Sequence, residues 1–375
     1  MKRTVISILV LIFGISFCMA QNIRDAAEEQ RRREAQQRQV ADEFRRREAQ
    51  QQQQRTQVTQ QPQAQPQQAV QQPQSQSQQL QPQQAVVEQQ QTEQPFSTQT
   101  TSAGIILRGG TLAYKLDWLQ RSAESHNTYI VEVNNNESIA PRTLEYRGAI
   151  NVTVILRGVG GNRTVRLSSH GNMFTVRQNI TLVLDNNITL MGHNGNTGTM
   201  VLVNGGTLKM NNGATITGNI SRNSYGGGVN VSSGTFEMSG GTISGNTAVN
   251  YGGGVFVSMG DTFIMTGGTI SGNTSSEGGG VYVQGTFTMR GGTITGNSAS
   301  KNGGGVSRGY GTFAKTGGII TGYNSDRNNG NAVRDGEGVI ARSGHAVWIN
   351  QDRRKETTAG SNVNLNSGTA DNWDQ

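Results

Sequence analysis

Cysteine is almost absent: Cys18 is the only one in 375 residues. A disulfide framework and a cysteine metal cluster are therefore excluded. Histidine does not replace it, because His126, His170, His193 and His345 lie scattered without metal-ligand spacing. Proline is scarce and confined, with Pro62, Pro66, Pro73, Pro82 and Pro95 in one stretch and Pro141 alone beyond it. Long apolar runs are missing too. The only sustained one, Val5–Phe17, is short for a bilayer span. The formal charge of +7 is modest for this length, and no interleaving of aromatic and basic residues points to nucleic acid.

Glycine is what the chain has in quantity, 51 residues of it, and it returns on a schedule. From Val201 to Ser325 one unit repeats: Gly-Thr-Phe-Glu-Met from Gly234, Gly-Gly-Thr-Ile-Ser-Gly-Asn from Gly240, then Gly-Gly-Gly-Val-Phe-Val from Gly252. Its isoleucine recurs at Ile216, Ile243, Ile270, Ile294 and Ile320. Its first apolar residue recurs at Leu208, Phe236, Phe263, Phe287 and Phe313, and its valine at Val229, Val255, Val281 and Val306. A period of this size marks a solenoid, in which each unit buries its apolar face only against its neighbours.

Within a unit, three short segments alternate with period two. Phe236, Met238, Ile243, Val255 and Val257 fall on one side, and Thr235, Glu237, Thr242, Ser244 and Phe256 on the other. The segments are too short and too glycine-rich for helices. Three strands per turn, each stacked on its counterpart one repeat later, give a three-sided parallel β-helix. Asn219, Asn246, Asn273, Asn297 and Asn324 then align at one corner as a structural ladder, since Asn tolerates left-handed backbone and its amide can bond neighbouring turns. In the fourth repeat Arg308 and Lys315 take inward positions, and they are expected to reach out to solvent or to open the wall.

The order Ile243-x-Gly-Asn246-Thr-Ala, followed by Gly252-Gly-Gly-Val255, resembles the repeat of bacterial polymorphic outer-membrane proteins. More broadly, residues 201–325 are similar to the pectate-lyase-like β-helix of secreted virulence factors. The resemblance implies a right-handed coil and a surface or secreted location. It departs in placing Ile where the outer-membrane motif has Phe, and it carries no catalytic assignment.

Residues 1–20 read as a secretory signal peptide: Lys2 and Arg3, the apolar run, then Cys18-Met-Ala20. Lipid attachment at Cys18 is the rival route, disfavoured by the bulky Phe17 before it. Residues 21–60 form a charged helical segment, with Glu28–Arg32, Glu29–Arg33, Asp42–Arg46 and Glu43–Arg47 at helical spacing, acid first. Its arginine triplets are a candidate contact to anionic cell-envelope polymers, although like-charge blocks are commonly only solvated. Residues 61–100 are a Gln- and Pro-rich linker that cannot offset the entropy of ordering. The β-helix domain spans 101–375, with a helical cap over 111–123 whose Leu112, Leu116 and Leu119 share one face.

Catalysis on this framework would need clustered acids, and Val201–Ser325 offers only Glu237, Asp261 and Glu277, in no common file. The expectation is a non-enzymatic, exported interaction or adhesion module with no cofactor and no metal, taking a host or matrix glycan or protein. A polysaccharide lyase or hydrolase is the alternative. Outward Thr215/Thr217, Thr242/Ser244, Thr269/Ser271 and Thr293/Thr295 resemble the flat face of β-helical ice-binding proteins; threonine is also a favoured strand residue without that role. The ligand contacts expected are Phe256 and Tyr282, outward on neighbouring turns, with Tyr251 at the adjoining corner. They form either an exposed platform for sugar rings or a protein hot spot, or a cross-strand pair in which each ring covers the other.

Overall fold

In a computed structural model of the chain, residues 95–222, 225–323, 326–334 and 345–349 are described, together with the backbone of 363–365. The expected signal peptide, charged helix and most of the Gln/Pro-rich linker lie outside these residues. The first element is a hairpin of β1 (Ser97–Thr101) and β2 (Gly104–Arg108), the sole antiparallel pair of named strands among the described residues. Helix α1 (Leu112–Ser122) follows. The Thr111 hydroxyl oxygen caps it by accepting from the Tyr114 amide at 3.2 Å, and the Glu137 carboxylate accepts from the Leu112 amide at 2.7 Å. Its Leu112, Leu116 and Leu119 are buried, and it packs on strands Thr128–Val133 and Glu137–Ile139. Lys115 shares this buried face. Its ammonium donates to the Glu132 carbonyl, and burial holds its pKa below the usual lysine value.

Every later named strand pairs in parallel with its counterpart one turn on, so the chain is a parallel β-solenoid. Column I holds the Phe-x-Met strands, such as Thr235–Met238 pairing Thr262–Met265. Column II holds the isoleucine strands, such as Thr242–Ser244 pairing Thr269–Ser271. Column IV holds the Val-x-Val strands, eight among the described residues, from Arg142–Leu144 to Val347–Ile349. Between them runs a column that three segments per turn do not include. Column III consists of Ile220–Ser221, Thr247–Ala248, Thr274–Glu277, Ser298–Asn302 and Ala332–Val333. Each of its strands follows the corner asparagine, where the chain stays extended long enough to pair and to bury Ala248, Ser275 and Ala299. In the last repeats columns I and II join as single strands, Thr286–Thr295 and Thr312–Ile320, bent only by register shifts.

The core is a set of like-on-like files. Phe236, Phe263, Phe287 and Phe313 stack with ring centroids 4.6, 4.6 and 4.9 Å apart, one strand spacing each. The glycine triplet is required by closeness as well as by backbone conformation. Gly252 sits at φ +66, and a Cβ on Gly253 would lie 2.5 Å from the carbonyl oxygens of Gly279 and Thr274. Lys315 corrects the expectation of an outward reach. It is 1% exposed, and its stem continues the file of Met238, Met265 and Met289 inside the wall. Neither Lys315 nor the half-buried Arg308 lacks a partner.

Candidate functional site

The corner asparagines are engaged from both ends. The Asn273 Oδ1 accepts from the Asn246 backbone amide at 2.9 Å, and its Nδ2 donates to the Ile243 carbonyl at 2.9 Å. Asn246 makes the same pair of bonds to Asn219 and Ile216, and Asn297 makes it to Asn273 and Ile270. These side chains replace the strand–strand bonds that a corner cannot make, which is why they tolerate complete burial. The next rung after Asn297 is Asn331, whose Oδ1 accepts from the Asn297 amide at 3.0 Å. Asn324 was expected there and lies outside the described residues. A turn built on the Asp326 carboxylate, which accepts from the Asn328 and Asn329 amides, carries the chain on to the later asparagine. Asn196 adds a rung at the other end, donating to the Asn219 Oδ1 at 2.9 Å.

The acids of the regular turns are occupied as well. Glu237 pairs with Lys209 on the preceding turn at 2.9 Å. Asp261 is buried, and its two oxygens accept from the Ser233 and Gly234 amides at 2.7 and 2.6 Å, closing the preceding corner. Among the described residues no group of three His, Cys, Asp or Glu side chains is placed to hold a metal. The threonines expected to face outward do lie in register: Thr215, Thr242, Thr269 and Thr293 in one file, Thr217, Ser244, Ser271 and Thr295 in the next.

The aromatic residues gather around column IV. Phe256 and Tyr282 are in register, with ring centroids 5.8 Å apart and planes 3° from parallel. Of the two arrangements expected for them, the structure has the cross-strand pair and not the exposed platform: Phe256 is 4% and Tyr282 6% accessible. Tyr225 and Tyr251, at the corner before column IV, lie against them, Tyr225 on Phe256 at 4.8 Å and Tyr251 on Tyr282 at 4.5 Å. Alternation along a strand gives the side a residue faces, but not the corner rings that fold down over it. The outer members are therefore Tyr225 (44% exposed), the half-buried Tyr251 and, past the far end of column IV, Tyr310 (75% exposed). Tyr225 and Tyr251 are themselves stacked, 5.8 Å apart at 14°.

Sequence reasoning missed Tyr225 and Tyr310. Tyr225 was legible, because Tyr-Gly-Gly-Gly-Val occurs twice, at Tyr225 and Tyr251. The next turn has Glu277 at that position, bridged to Tyr251. Burial, with the Glu277 charge and neighbouring phenols adding to it, raises the Tyr251 pKa and pushes that of Tyr282 up to about 12. The Tyr282 hydroxyl lies over Gly309, where a Cβ would come within 2.7 Å of it. The result is a two-layered aromatic cluster whose outer tyrosines can present ring faces and hydroxyls together.

Comparison with protein-family models, curated proteins and solved structures gives no match.

Proposed function

We propose that this chain is an exported, non-enzymatic interaction module whose contact surface is the tyrosine cluster of column IV. The observation that carries the reading is the packing of Tyr225 and Tyr251 over a buried Phe256–Tyr282 pair, with Tyr310 exposed past the end of the column. Rings fixed from beneath lose little entropy on binding, and exposed tyrosine is the residue type that dominates small recognition patches. The partner is a host or matrix glycan or protein. The bonding of Glu237 to Lys209 and of Asp261 to backbone amides supports a non-enzymatic reading over a lyase or hydrolase, since neither carboxylate is poised as an acid or base.

In this reading residues 1–20 direct export, and residues 21–94 hold the solenoid away from the cell envelope. Helix α1 shields the edge of the first turn. The coil is right-handed, the hand of nearly all parallel crossovers, and of the pectate-lyase-like kind. A screen of the secreted protein against glycan and extracellular-matrix arrays tests the function. Reproducible binding to one class supports it. Silence on both arrays, with turnover of a polysaccharide in a reducing-end assay, replaces it with the enzymatic alternative.

A further inference from the structure

A second feature lies at the corner between columns IV and I. Five residues in register there have left-handed backbone: Asn151 (φ 57), Asn179 (φ 66), Gly205 (φ 100), Ser233 (φ 90) and Gly260 (φ 86). Two residues past each corner stands a threonine, part of an unbroken file from Thr128 through Thr153, Thr181, Thr207, Thr235, Thr262 and Thr286 to Thr312. On the early turns this corner opens as a groove of about 220 Å³, lined by Asn151, Thr153, Asn179, Thr181, Thr207 and the Gly205–Gly206 main chain, with Ile180 beneath.

The lining is wholly uncharged, and its polar side chains face solvent. By contrast, Asn162 bonds Thr189, Asn211 bonds Asp185, and every described rung of the ladder bonds its neighbours. Among the described residues no hydrogen bond within the protein engages the side chains of Asn151, Thr153, Asn179, Thr181 or Thr207. Backbone geometry alone does not call for asparagine, since glycine holds the same corner at Gly205 and Gly260.

We infer that this groove is a binding site for a neutral saccharide, its chain running along the solenoid axis. Two carboxamides and three hydroxyls, repeating at the strand spacing of about 4.8 Å, offer alternating donors and acceptors to sugar hydroxyls. The absence of charge from the lining disfavours phosphate, uronic acid and peptide termini. The groove is smaller than the roughly 300–1,000 Å³ of drug-sized pockets, so one or two sugar units fill it. It lies on earlier turns than the tyrosine surface and does not depend on it.

The test is calorimetric titration of the full chain with glucose, galactose, mannose and N-acetylglucosamine, and with tetrasaccharides of glucose, mannose and N-acetylglucosamine. At least one probe binds. Asn151→Gly with Asn179→Gly, which keeps the left-handed corner, weakens it about tenfold or more through the two lost amides. Should that variant misfold, Thr153→Val with Thr181→Val removes hydroxyls at constant shape and is expected to weaken binding in the same direction. The proposal is overturned if no probe binds the full chain, if binding survives in the folded variants, or if Tyr225→Ser with Tyr251→Ser abolishes it.

Discussion

Asn246 and Asn273 are joined twice: the Oδ1 of Asn273 accepts from the backbone amide of Asn246 at 2.9 Å and from its side-chain amide at 3.1 Å. The ladder built from such pairs ties successive corners together where strand pairing lapses. Replacing Asn273 with Ala strands the Asn246 backbone amide and the Ile243 carbonyl in a dry interior, while the Asn246 side-chain amide keeps its bond to the Ile216 carbonyl. Each orphaned group costs about 1–3 kcal/mol, so a loss of at least about 2 kcal/mol is expected in urea melts. Glu237→Ala, which removes only the half-exposed pair with Lys209, is expected to cost about 0–1 kcal/mol. Equal losses would remove the structural role of the ladder.

The inward files predict their own failures. Ile243 and Ile270 are fully buried in register, and aspartate at either position adds a desolvation penalty to a lost side-chain burial of about 2–3 kcal/mol. Both variants are expected to lose cooperative thermal unfolding.

Two glycines separate space from conformation. Gly260 (φ +86) has nothing within 4 Å of an added Cβ, so Gly260→Ala meets only left-handed strain of about 1–2 kcal/mol. Gly253→Ala, where the backbone is not left-handed, must instead displace the carbonyl oxygens of Gly279 and Thr274. Its melting midpoint is expected to fall well below that of Gly260→Ala; the reverse order would contradict the packing of the triplet.

Tyr282 gives the fold an alkaline limit. Its folded pKa, raised to about 12 by burial first and Glu277 second, stands above the ordinary value of 10.0. The folded state thus keeps a proton that the unfolded state releases. The stability this confers is complete below about pH 10 and is lost as pH rises toward about 12. Tyr282→Phe, compared with the parent chain at about pH 9 and about pH 11, is expected to show a smaller loss. An identical loss would place the limit elsewhere.

The solenoid was legible because its core repeats: any residue that recurs in phase must stack on itself, so the Phe, Met, Ile and Val files and the face of Leu112, Leu116 and Leu119 could be read directly. Features set by neighbours were not. Two-residue strands such as Thr247–Ala248 are too short to show a period. Asn331 became a rung because a local turn moved the corner, and no spacing rule contains that turn. The burial of Phe256 and Tyr282 depends on rings from the adjoining corner, which alternation along a single strand does not report. The groove between columns IV and I escaped notice because Asn151 and Asn179 look like ordinary turn residues until stacking of the turns sets them beside Thr153, Thr181 and Thr207.

The central claim is that column IV carries the contact surface, and the outer tyrosines test it without touching the core. Tyr225→Ser, Tyr251→Ser and Tyr310→Ser combined leave the Phe and Asn files intact. With a ligand from the arrays in hand, one titration of parent and triple variant, each checked by its thermal melt, decides the matter. The account predicts that binding falls at least about a hundredfold, from three contacts of about 1 kcal/mol or more each, while the variant still unfolds in one cooperative step. Undiminished binding by a folded triple variant would contradict it.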